Sequence, residues 1–200
     1  MYPDLSYVFH DLFGTTPDNW LSLIKMFGLL LAIAILCSSY FLSLEFKRRE
    51  NEGSLHQLTV KKDGKTTKMW PHEKVGDITI IAAISGVVGA KIFAIFESID
   101  SIKSFLRDPI HTLFSGSGLA IYGGLIIAFI VVSRYVKRMG IKVLDMCDAT
   151  APSLMIGYGV GRIGCQLSGD GDWGIVAGPK PDWFILLDWL WSQTYPRNVA

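Results

Sequence analysis

The sequence predicts an all-α fold: a polytopic membrane bundle of about four spanning helices with extra re-entrant or interfacial segments, forming one membrane domain over residues 1–200. Three observations carry that expectation. Half of the residues are hydrophobic and only 18% are charged, and mean hydropathy is +0.35, well away from ordinary soluble usage. Four apolar windows approach the roughly 20 residues that a helix needs to cross hydrocarbon. Lys and Arg then alternate between the connections as the positive-inside rule requires.

The windows run from Trp20 to Phe46, Ile78 to Phe96, Gly118 to Val136 and Ala149 to Leu167. The first is the clearest, since Leu29 to Leu36 contains no polar side chain. Asp4, Asp11 and Asp18 precede it and no basic segment does, so it is expected to stay as a span and not to be a cleaved signal peptide. The fourth is the least apolar. It contains Pro152 and many glycines, so protein neighbours must satisfy its backbone, and Asp148 reads as its N-cap.

Charge orients these spans. Lys47, Arg48, Arg49, Lys61, Lys62, Lys65, Lys68 and Lys74 crowd the first connection, and Arg134, Lys137, Arg138 and Lys142 the third. Both belong inside, which places the N-terminus, the connection with Lys103 and Arg107, and the tail outside. Only Lys25, Lys91 and Arg162 then remain within the membrane. Residues 47–76 form the inner loop, and alternation on either side of Asp63-Gly64 predicts a small solvated hairpin there. Such a basic hairpin would lie near anionic headgroups. Farther on, Trp183, Trp189 and Trp191 mark an apolar stretch too short to span, read as interfacial on the outer side.

Several function classes are excluded or unsupported. A net charge of +1 gives no basis for a polyanionic partner, so no nucleic acid is expected. Cys37, Cys147 and Cys165 show neither a CxxC pair nor His at ligand spacing; they are expected to be free thiols with packing roles, and no metal is expected.

Chemistry concentrates in Gly157-Tyr158-Gly159-Val160-Gly161-Arg162-Ile163-Gly164-Cys165-Gln166. An arginine inside such a segment is costly enough to be a functional candidate, and its guanidinium fork matches phosphate oxygens. Lys25 and Lys91 would add positive charge to a shared cavity, or else reach an interface with their long stems. Tyr122 precedes the pair Gly123-Gly124 at the outer start of the third window, where its phenol could serve a reacting oxygen or anchor the helix at the interface. Asp170 and Asp172 lie beyond Arg162 and could bind a cation, act as bases, or simply shape a turn. At membrane depth beside glycines, Arg162 suits a phospholipid headgroup. The same residues leave open a transport or channel protein with an intramembrane anion site.

Four blocks in order give the chain a closer likeness: Lys25-Met26-Phe27-Gly28-Leu29, Gly86-Val87-Val88-Gly89-Ala90-Lys91-Ile92-Phe93, Gly118 to Leu125, and Asp148 to Pro152 leading to Gly159-Val160-Gly161-Arg162-Ile163-Gly164-Cys165. Together they resemble the prolipoprotein diacylglyceryl transferase family, over roughly Trp20 to Gly174. The resemblance implies a multi-pass enzyme of the bacterial cytoplasmic (inner) membrane that acts in lipoprotein maturation. It would transfer diacylglyceryl from phosphatidylglycerol to the lipobox cysteine of a preprolipoprotein signal peptide, with membrane lipids as its surroundings and no cofactor. By the same resemblance Arg162 would be the essential arginine and Tyr122 a catalytic hydrogen-bond donor. Lys91, Gly123, Gly124, Phe27, Cys165, Gln166 and Gly174 would line the substrate site.

The chain departs from the family at three points. Tyr122 stands where many members have histidine, and a phenol with an ordinary pKa of about 10 is better suited to donating a hydrogen bond than to acting as a base. Cys165 stands where asparagine is frequent, which shifts an amide contact toward Gln166. Members also continue through a Tyr-Glu block and further spans with another arginine, so this chain is expected to be the N-terminal portion of a longer protein.

Overall fold

The computed structural model describes residues 2–17, 19–62, 65–109, 112, 120–169 and 176–192. It is dominated by helices. The chain divides into two compact units, residues 38–154 and residues 1–37 with 155–200, and each has its own logic.

In the first of these units the long helix α2 (Met26–Asn51) arrives from the other unit, and a hairpin follows it. The hairpin pairs β1 (Leu58–Lys62) with β2 (Lys65–Met69) antiparallel, Leu58 opposite Met69 and Lys62 opposite Lys65. A 3-10 turn, Pro71–Lys74, then leads into α3 (Val75–Glu97). The short helix α4 (Ile99–Arg107) is capped by Ser98, whose side chain accepts from the Ser101 N–H. Helix α5 (Ile121–Arg138) ends in Lys137 and Arg138, cations that complement the negative C-terminal end of its dipole. Gly140, at φ +87°, turns the chain in a backbone region that other residues avoid, and α6 (Val143–Ser168) begins shortly after it.

The core of this unit gathers Leu42, Phe46, Leu55, Leu58, Val75, Ile78, Val136, Ile141, Met146 and Ala149. These residues belong to the stretches that end or begin at the basic connections. Phe46, Val136 and Ala149 are fully buried. Away from that cluster α2 and α3 expose Leu36, Tyr40, Phe41, Ile80, Ile84 and Phe96, a breadth of apolar surface that monomeric proteins in water rarely tolerate.

The unit formed by residues 1–37 and 155–200 is tied by backbone. Helix α1 (Leu5–Phe13) is capped by Asp4, which accepts from the Ser6 N–H, and is closed by Gly14, whose N–H donates to the His10 carbonyl at 2.8 Å. The Met26 N–H donates to Pro3, the Leu5 N–H to Ile24, and the Tyr2 N–H to Leu167 at 2.8 Å. Helix α7 (Asp188–Trp191) closes the described chain.

Two expected boundaries move. The first window does not enter its helix at Trp20. Asn19 caps a 3-10 turn over Trp20–Leu23, Ile24 is extended, and the helix starts at Met26 because residues 24–26 pair with Pro3–Leu5. Asp148 is no N-cap, for it lies within α6, several residues after Val143. Pro152 also lies inside α6, where it cannot donate to a carbonyl. Hydroxyls crowd that region: Thr150 Oγ1 donates to Met146 O at 2.7 Å, Ser153 Oγ to Thr150 O at 3.0 Å, and Ser38 Oγ to Ser153 O at 2.8 Å.

Among the described residues two helical stretches, Met26–Asn51 and Pro71–Glu97, are long and apolar enough to cross a membrane. The other two expected windows fall on α5 and α6. There Arg134, Lys137 and Arg138 load one end of α5, and glycine, Asp145, Asp148 and Arg162 dilute the apolar content of α6.

Candidate functional site

Arg162 rides on the C-terminal half of α6, within the unit of residues 1–37 and 155–200. Helical spacing sets Tyr158, Arg162 and Gln166 four residues apart, so they share one face. All three are exposed, whereas Gly164 is buried and Cys165 half-buried. The buried side meets α2: a Cβ placed on Gly164 would lie 3.1 Å from Leu30 Cβ and 3.9 Å from Phe27 Cδ2. Glycine at 164 therefore lets α6 approach α2 and brings Phe27 beside the segment that carries Arg162. A Cβ on Gly159 or Gly161 would meet nothing within 4 Å among the described residues.

Lys25, at the entrance to α2, pairs with Asp4 at 3.4 Å. Asp4 is buried and also accepts from Ser6. Sequence reading gave neither the Asp4 contact nor a separate role to Tyr158. Tyr158 was accessible through its i−4 relation to Arg162, whereas Asp4 becomes visible only once Pro3–Leu5 is known to pair with residues 24–26.

Lys91, Tyr122, Gly123 and Gly124 belong to the other unit. Gly123 and Gly124 are buried against α3. A Cβ on Gly123 would run into Phe93 and come within 2.8 Å of the Gly89 carbonyl, and one on Gly124 would stand 2.8 Å from the Gly86 carbonyl. Their lack of side chains is thus what lets α3 and α5 pack backbone to backbone. The Ala120 N–H donates to the Ala90 carbonyl at 3.1 Å, which fixes the start of α5 on α3. Tyr122, two residues later, is 81% exposed. Lys91 is half-buried, and its Nζ lies 3.4 Å from the Thr112 carbonyl.

The structure therefore brings Phe27, Arg162, Cys165 and Gln166 into one unit and Lys91, Tyr122, Gly123 and Gly124 into the other. Gly174, Asp170 and Asp172 lie outside the described residues. Cys37 and Cys165 are half-buried free thiols, while Cys147 is exposed, contrary to a packing role. No group of three or more His, Cys, Asp or Glu that could hold a metal occurs among the described residues.

A family model for prolipoprotein diacylglyceryl transferase matches residues 21–186. The chain belongs to that family. The match encloses Phe27, Lys91, Tyr122, Gly123, Gly124, Arg162, Cys165, Gln166 and Gly174. Among its relatives, a phosphatidylglycerol–prolipoprotein diacylglyceryl transferase of Leptospira interrogans is 32% identical over 98% of this chain and 60% of its own length. One from Vibrio vulnificus is 26% identical over 98% of this chain and 59% of its own length. A third, from Clostridium tetani, is 35% identical over 48% of this chain and 38% of its own length. The chain thus spans about three-fifths of the transferases that it matches over nearly all its residues.

Proposed function

We propose that this chain supplies part of an enzyme that transfers the diacylglyceryl group of phosphatidylglycerol to the lipobox cysteine of a preprolipoprotein. The observation that carries the reading is the family match over residues 21–186, which spans the glycine-rich helix bearing Arg162. In the step proposed, the substrate thiol gives its proton to a base, and the thiolate is the competent nucleophile. Its sulfur forms a bond to the glyceryl carbon as that carbon's bond to the phosphate oxygen breaks. The electron pair leaves with glycerol phosphate, and a thioether remains.

Arg162 holds the phosphate and stabilises the charge that grows on the departing oxygen. Tyr122 donates a hydrogen bond near the reacting carbon. Lys91 supplies a further positive charge, while Phe27, Gly123, Gly124, Cys165, Gln166 and Gly174 shape the lipid and peptide site. Cysteines of this chain take no covalent part. The relatives matched are named as transferases, which leaves the channel reading without support.

The same proposal places α2, α3, α5 and α6 across the bacterial inner membrane with the N-terminus outside. The basic residues at the C-terminal ends of α2 and α5 support that orientation. Complementation of a transferase-depleted strain by the full-length gene tests the chemistry. Wild type rescues growth and Arg162→Ala does not; equal rescue at equal protein abundance would sink the assigned role. Tyr122→Phe isolates the hydroxyl, and full activity in that variant would reduce Tyr122 to a packing function.

A further inference from the structure

At the basic end of α2 a cavity of about 360 Å³ is lined by Lys47, Glu50, Asn51, Trp70 and His72. That volume falls at the lower end of small-molecule sites, roughly 300–1,000 Å³. All five residues belong to the unit of residues 38–154. Their charge partners are distributed unevenly. Arg48 is bound by Glu45 and Glu52, both at 2.6 Å, and Arg49 by Glu45 at 2.7 Å. Lys47, on the same turn, has no ion-pair or hydrogen-bond partner for its ammonium among the described residues.

Glu50 is the one buried group of the set, with 7% of its side chain exposed. Both its oxygens serve His72: Oε1 accepts the His72 backbone N–H at 2.8 Å and Oε2 lies 2.7 Å from His72 Nδ1. A carboxylate can only accept, so the ring proton sits on Nδ1 and the imidazole is held in one orientation. Its Nε2 has no partner among the described residues, and neither has the indole N–H of Trp70 nor the side-chain amide of Asn51. An oriented imidazole, and an ammonium and an indole N–H without partners among the described residues, thus surround one cavity.

We propose that this cavity is a second lipid site, for the headgroup of an anionic glycerophospholipid that bears both a phosphate and a free hydroxyl. Lys47 takes the phosphate, His72 Nε2 hydrogen-bonds the hydroxyl, and Trp70 sits beside the glycerol backbone with its N–H available to an ester or phosphate oxygen. The lipid source rests on the topology proposed above, which puts the basic end of α2 at the inner leaflet, where anionic lipids attract such segments. Arg162 belongs to the other unit.

Native mass spectrometry of the purified protein in detergent tests this, with phosphatidylglycerol, phosphatidylcholine and free glycerol phosphate added in parallel. The background is Arg162→Ala, so that lipid held by the proposed transfer site is not counted. Phosphatidylglycerol should be retained in preference to phosphatidylcholine. Lys47→Ala and His72→Gln should each weaken that retention about tenfold, the effect of losing one charge-assisted or oriented hydrogen bond. Lys47 is exposed and has no partner among the described residues, so its variant keeps the fold even if His72→Gln loosens the Glu50 contact. Unchanged retention in Lys47→Ala, or equal retention of the two lipids, overturns the site. Free glycerol phosphate binding as tightly as the lipid overturns the lipid assignment. Full rescue by Arg162→Ala in the complementation assay would count against the transferase role alone and leave the present prediction standing.

Discussion

Two halves of one helix do different work. From Val143 to Leu154, α6 turns Met146, Ala149 and Ser153 inward, its Thr150 and Ser153 hydroxyls donate to carbonyls of the preceding turn, and Ser38 of α2 donates to the Ser153 carbonyl. From Met155 to Ser168 the same helix buries little besides Gly164 and Ser168 and presents Tyr158, Arg162 and Gln166 on an exposed face. The first half is built to be covered by its own chain. The second half carries Gly157, Gly159, Gly161 and Gly164 and the cation Arg162.

The comparison breaks most visibly in the buried region. Phe46 is fully enclosed among Leu42, Val75, Val136 and their neighbours, so Phe46→Ala should cost about 3–5 kcal/mol. A thermal-unfolding scan in detergent reads that loss, and a midpoint equal to wild type would show that the cluster is not a cohesive core. Leu36→Ala should shift the midpoint far less, because Leu36 is largely exposed.

Glycines sharpen the contrast at intermediate size. Gly123→Ala drives a methyl into Phe93 and toward the Gly89 carbonyl, and overpacking of this kind costs about 1–3 kcal/mol. Gly161→Ala meets nothing within 4 Å among the described residues, so removing a helical glycine there should stabilise by about 0.5–1 kcal/mol. If Gly161→Ala also abolishes activity while raising the unfolding midpoint, the open glycine serves substrate access. Destabilisation by Gly161→Ala would instead place another element against it.

The smallest effect belongs to the tail. Lys180 Nζ binds Asp188 Oδ1 at 2.6 Å and caps a cluster of Trp183, Phe184 and Trp191. That ammonium holds the Asp188 carboxyl below its ordinary value of 3.8. A lowered folded-state pKa contributes stability that is present above the unfolded value and lost as pH falls through the folded one. Indole fluorescence of this cluster should therefore be flat at neutral pH and change only below about pH 4. A transition at neutral pH would assign the cluster to other groups.

Much of this was legible in the sequence, and the gaps have physical causes. Apolar runs fixed the placement of α2, α3, α5 and α6, because hydropathy needs no partner to be read. Helix ends were less accessible. The start of α2 depends on backbone pairing with Pro3–Leu5, far earlier in the chain, where Asp4 and Lys25 lie opposite each other. Its extension past Phe46 rests on Glu45, Arg48, Arg49 and Glu52 at helical spacing, a local signal that hydropathy ignores. At the candidate site, Arg162 announced itself by its cost among apolar neighbours. The reason for Gly123 and Gly124 lay on another helix, α3, so spacing along α5 alone could not supply it.

The most direct test of the central claim is diacylglyceryl transfer measured in vitro with the full-length protein, phosphatidylglycerol and a lipobox peptide, comparing wild type, Arg162→Ala and Arg162→Lys. Losing a donor that stabilises leaving-group charge should lower turnover by about 10²–10³ in Arg162→Ala. Arg162→Lys keeps the charge without the fork and should fall between the two. Wild-type turnover in Arg162→Ala would contradict the account.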